Sequence, residues 1–174
     1  MTEPSAKIAN LDAFLRSNGA ALHPNIFIAE NEASGLHWRA KGDIGPESIL
    51  ISVPHKLSLS YLNALVDENG PEFQRVQERI VPDFRIEAVT FFYFMHQYLN
   101  RETSFWRPYL EALPGPNEEH TQPLFFDSFH DRQWLEGSAV GHTNRQREEK
   151  YRAIYEEGKA ALRRLAYDKS EYTW

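Results

Sequence analysis

The sequence contains no cysteine, which excludes a disulfide framework, a thiol nucleophile and a cysteine-based zinc site. It also lacks an excess of positive charge. With 25 acidic and 19 basic residues the formal net charge is −6, which argues against a general nucleic-acid binder while leaving room for a local basic patch. No apolar run approaches the roughly 20 residues that cross a bilayer, and Met1 to Pro4 has neither the basic nor the apolar region of a signal peptide. These absences predict a soluble protein of the cytoplasm or nucleus, with neither membrane nor nucleic acid among its partners. His23, His37, His55, His96, His120, His130 and His142 show no H-x-x-x-H or H-x-x-E-H spacing, so no metal site is expected. Internal repeats and low-complexity tracts are also lacking.

What the chain does have is enough apolar content, 41% over 174 residues, for one domain or two small packed subdomains. Its densest aromatic stretch runs from Phe91 to Pro114. There Phe91, Phe94, Met95 and Tyr98 recur at helical spacing, with Gln97, Asn100 and Arg101 off the stripe, which predicts a core helix. Ser104 to Leu110 starts a second short helix that tolerates Pro108 near its first turn, and Leu113 to Pro116 stops it.

Before that stretch, Ala6 to Ser17 places Ile8, Leu11, Phe14 and Leu15 on one helical face, closed by Asn18-Gly19. Asn25–Ala29, Leu36–Ala40 and Ser48–Val53 read as strands separated by turns, with Leu36, Trp38 and Ala40 on a buried face and His37 and Arg39 on a polar one. Ser58–Val66 reads as a short, mostly buried helix; a further one follows from Pro71, with Asp83 as cap for the aromatic helix. Asn117–Leu124 reads as a loop, after which Phe125, Phe126, Phe129, Trp134 and Leu135 return to the core. Tyr151, Ile154, Tyr155, Leu162 and Leu165 predict a last helix over Arg145–Tyr167, solvated on its charged faces. The fold class expected is α+β, a small antiparallel sheet with a larger, mainly helical remainder.

Several of these stretches resemble one family. Glu32-Ala33-Ser34-Gly35-Leu36, Ala40 to Ile44 and Ile49 to Pro54 are similar to the start of a SET domain. Ser104-Phe105-Trp106-Arg107-Pro108-Tyr109-Leu110 with Leu113-Pro114 resembles the helical insert of the Rubisco-type and ribosomal-type protein-lysine methyltransferases. Leu59 to Leu65 is similar to fungal members, and Thr121 to Phe126 and Trp134 to Ser138 continue the likeness. The resemblance implies a partial SET region over 1–80, an insert-like helical region over 81–174, and an S-adenosylmethionine cradle at Glu32, Ser34, Gly35 and Leu36. Ala33 departs from the glycine common in the family, and Gly35 to Ala40 is a longer path than usual.

In the family, a catalytic half with an Asn-His motif and a channel tyrosine follows the insert, whereas this sequence ends at Trp174. The chain alone is therefore expected not to methylate lysine, since methyl transfer needs donor and amine aligned head-on. Three readings follow. The leading one is a repurposed, cofactor-free enzyme that cyclises or isomerises a small apolar metabolite. His37 and His96 would be its acid/base groups, and Tyr61, Tyr93, Trp106, Arg107 and Tyr109 its pocket walls. The alternatives are an S-adenosylmethionine-dependent protein-lysine methyltransferase completed by a partner chain, and a non-catalytic interaction module. Each of these residues also has a structural reading: packing for the aromatics, a satisfied or surface position for the histidines. Apolar surface left over by a missing half predicts a homodimer.

Overall fold

The computed structural model describes residues 5–31, 35–68, 85–115 and 134–174. The elements are α1 (Ala6–Ser17), β1 (Ala21–Leu22), β2 (Ile26–Asn31), β3 (Gly35–Ala40), β4 (Ile51–Ser52), a 3₁₀ turn (His55–Leu57), α2 (Tyr61–Ala64), α3 (Ile86–Leu99), α4 (Arg107–Ala112) and α5 (Ala139–Arg164). This is the α+β class that the sequence predicts. The helix expected after Pro71, its neighbour's cap at Asp83, the loop from Asn117 and the phenylalanines at 125, 126 and 129 lie outside the described residues. The chain divides into two compact units, Met1–Ser58 with Arg101–Leu113, and Leu59–Asn100 with Pro114–Trp174.

In the first unit α1 stops at Asn18 and Gly19. Gly19 takes a φ of +90°, open to glycine without steric cost, and its amide bonds to the Arg16 carbonyl at 3.1 Å. Phe14 projects from α1 and meets Phe105 and Trp106 edge-on, with ring centroids 5.2 and 6.4 Å apart. Trp106 and Leu110 of the α4 region are buried there, and Pro108 falls in the first turn of α4, where its missing N–H costs nothing.

β2 and β3 form an antiparallel hairpin from Ile26↔Ala40 to Asn31↔Gly35. The third predicted strand does not join it. Ile51–Ser52 pairs instead with Ala21–Leu22, a two-residue strand too short to show any period-2 pattern. The Asn25 amide holds the Asp43 carbonyl at 2.7 Å just beyond β3, so the chain is anchored to the hairpin base before it leaves. The alternation expected along β3 is also absent. Leu36 and His37 are both half-buried, and Trp38, Arg39 and Ala40 are exposed, because a two-stranded ribbon buries neither face fully.

In the second unit α3 and α5 pack around Ala88, Val89, Phe92, Tyr93, Ile154, Leu162 and Tyr172. The buried face of α3 is rotated from the predicted stripe: Phe91 is exposed, Phe94, Met95 and Tyr98 are half-buried, and Phe92, Tyr93, His96 and Gln97 are buried. Polar partners account for the shift, since they let His96 and Gln97 leave water. α5 starts earlier than its apolar periodicity, at Ser138, whose hydroxyl accepts from the Gly141 amide at 3.0 Å. Trp134, expected in the core, is 77% exposed.

Candidate functional site

Three places hold the residues singled out above. The first is the closed end of the β2–β3 hairpin. Gly35 opens β3 at a φ of +57°, in the left-handed region, and among the described residues other than its chain neighbours no atom lies within 4 Å of the position a Cβ would take. Leu36 follows, opposite Glu30 on β2; Glu32 and Ser34 lie outside the described residues. Glu30 is held from α1 by both oxygens: the Ser5 hydroxyl donates to Oε2 at 3.0 Å and the Lys7 ammonium sits 2.6 Å from Oε1. The Lys7 hydrogen bond, then that from Ser5, hold the carboxyl below the usual range. His37, two residues on, turns its Nδ1 to the Gly35 carbonyl at 3.0 Å.

The second place is the α4 region of the same unit. Trp106 is 4% exposed and committed to Phe14 and Phe105. Arg107 is exposed and paired with Glu111 at 2.7 Å and Glu102 at 3.2 Å, which raise its pKa; Tyr109 is 38% exposed.

The third is a buried polar cluster in the second unit. Asp67 Oδ2 accepts from the Tyr93 hydroxyl at 2.7 Å and from the Gln97 amide at 2.8 Å. One turn along α3, His96 Nδ1 lies 3.3 Å from both the Tyr172 hydroxyl and the Lys169 ammonium. Buried Lys159 of α5 closes the cluster, donating to the carbonyls of Lys169 at 3.1 Å and Tyr172 at 2.8 Å and reaching Asp168 at 2.6 Å. Tyr61 packs at the edge of the same core.

His37, Trp106, Arg107 and Tyr109 thus belong to the first unit, and Tyr61, Tyr93 and His96 to the second. Tyr93 and His96 share the buried face of α3. With Tyr172 fully buried and His96 8% exposed, the polar atoms of that cluster are turned to one another. Sequence reasoning did not single out Glu30, Lys7, Asp67 or Lys159. Only Lys159 had a signal, falling with Tyr155 and Leu162 at i, i+4 and i+7 on the apolar stripe of α5. Among the described residues no group of three or more His, Asp or Glu is placed to hold a metal ion, and no helix is long and apolar enough to cross a membrane.

No family model matches the sequence. Over 112 residues, 63% of this chain, it is 31% identical to the actin-histidine N-methyltransferases of Homo sapiens, Dasypus novemcinctus and Rattus norvegicus. The matched stretch spans 17% of those proteins. The chain is therefore similar, in part and distantly, to protein methyltransferases.

Proposed function

We propose that this chain carries the methyl-donor-binding part of a SET-type protein methyltransferase, with S-adenosylmethionine as donor and a side-chain nitrogen of a protein as acceptor. The observation that carries the reading is the open backbone at Gly35, taken together with the likeness to enzymes named for N-methylation of a protein histidine. A Cβ at residue 35 would fill the space through which a ligand reaches the main chain, so the residue present fits the group. When bound, the donor supplies an electrophilic methyl on a sulfonium, which passes to a nitrogen lone pair in line with the breaking C–S bond. The chain's own share is to bind and orient. The Gly35 and Leu36 backbone would hold the donor, with Glu32 and Ser34 assigned to it by the SET resemblance. The acceptor is an imidazole or an amine, aligned by residues of the remaining length that the relatives have.

The aromatic-pocket reading draws less support. Two of its five walls, Tyr93 and Trp106, are buried at 2% and 4% exposure and committed to Asp67 and to ring packing. Calorimetric titration of S-adenosylmethionine into the purified chain tests the proposal. One saturable site is expected, weakened at least about tenfold by Gly35→Val, whose branched side chain both fills the approach and resists a positive φ. No heat with S-adenosylmethionine or its demethylated product contradicts it.

A further inference from the structure

We infer that Glu30, clamped by Ser5 and Lys7, is a positioning residue that fixes the end of the β2–β3 hairpin at Gly35 and Leu36 for the methyl donor; this rests on the donor-binding reading above. Glu30 pairs with Leu36 and its neighbour Asn31 with Gly35, so the clamp acts on the rung that holds Leu36, one short of the end of the ladder at Gly35. Both carboxylate oxygens are engaged, one by the N-cap residue Ser5 and the other by Lys7 in the first turn of α1. Two-point attachment fixes orientation where a single ion pair fixes only proximity.

The local chemistry of α1 points the same way. Ser5 stands at the N-cap, where a serine hydroxyl ordinarily accepts from its own helix, yet it makes no such cap bond and donates to Glu30 instead. The first turn of α1 has no acidic residue of its own. Glu30 brings the negative charge that the positive end of the helix favours, from a different element. Strand and helix therefore depend on one carboxylate, and removing its charge loosens the hairpin end from α1.

The test combines two readouts on the full chain with Glu30→Gln, Lys7→Met and the conservative Lys7→Arg. In the free protein, hydrogen exchange at the Gly35 and Leu36 amides is expected to quicken in Glu30→Gln and Lys7→Met. Exchange along α3 should stay unchanged, and Lys7→Arg should restore protection. In calorimetry the same two variants are expected to bind S-adenosylmethionine about two- to fivefold more weakly, the range that exposed ion pairs support. Unchanged exchange at Gly35 and Leu36, or faster exchange throughout the chain, overturns the clamp. Equal affinity for wild type and Glu30→Gln overturns its role in donor binding alone. Absence of binding in every form overturns the donor reading and the positioning role with it.

Discussion

Gly158 and Lys159, adjacent on α5, show how much single side chains decide in the second unit. A Cβ on Gly158 would run into the Phe92 ring and approach Ala88 at 3.3 Å, and Phe92 is only 1% exposed, with no room to retreat. Gly158→Ala gains about 1 kcal/mol in helix propensity against about 1–3 kcal/mol for overpacking. The expected result is a net loss seen as a lower Tm, and a higher Tm contradicts the packing described. Lys159→Met keeps the aliphatic stem and removes the donor to two carbonyls and Asp168. We expect a loss of about 2–4 kcal/mol, below that for a fully buried pair because Asp168 keeps some contact with water. Thermal melts should fall by roughly 5–15 °C for a chain of this size.

Asp168 gives the same contact a pH signature. Its carboxyl is held below the usual value first by the Lys159 hydrogen bond, with Arg163 adding to it and burial opposing. A depressed carboxylate stabilises the fold above its unfolded value of 3.8 and loses that contribution as pH falls through the lower folded value. Melts recorded from about pH 5 downward should therefore steepen near and below pH 4, and Lys159→Met should flatten that slope. An identical slope in the variant contradicts the assignment. None of this was legible in the sequence beyond the position of Lys159 on an apolar stripe, since its acceptors are backbone carbonyls whose placement depends on the chain turning at Ala166 to Tyr167.

At the scale of elements, the long helices are located by periodicity, whereas the mostly buried helix expected over Ser58–Val66 is only Tyr61–Ala64, with Ala64 buried and Leu62 and Val66 exposed. α1 was located by its four apolar positions and its glycine stop, and α4 by Pro108. The buried face of α3 was misread because hydrophobic periodicity counts His96 and Gln97 as polar, whereas Asp67, Tyr172 and Lys169 make them core residues. Asp67→Ala removes the acceptor shared by Tyr93 and Gln97 and should destabilise by about 1–3 kcal/mol. The effect should be concentrated in faster hydrogen exchange along α3, and unaltered exchange there counts against this account. Among strands, the hairpin was visible and the β1–β4 pairing was not, because two residues carry no periodic signal and a non-neighbouring partner is not encoded locally. Ile49, Leu50, Ile51 and Val53 are all exposed, which no reading of an apolar run as a buried strand anticipates.

For the whole molecule, the first unit, to which the proposed donor contact belongs, is assembled from the chain's beginning and from residues 101–113, with aromatic contacts such as Phe14 with Phe105. Contacts of that separation lie beyond what local periodicity records, although the Ser104 to Leu110 motif and the turn at Gly35 could each be recognised on their own. Of the proposed donor contact, the sequence offers residue types only. Glu30, its support from α1 and the open face of Gly35 needed the fold. The central claim is that this hairpin end binds the methyl donor, and an amide-resolved nuclear magnetic resonance titration of the isotope-labelled chain with S-adenosylmethionine tests it most directly. The account predicts saturable shifts at Gly35 and Leu36 with the α3 amides unmoved; no shifts, or shifts confined to the His96 and Lys159 cluster, would contradict it.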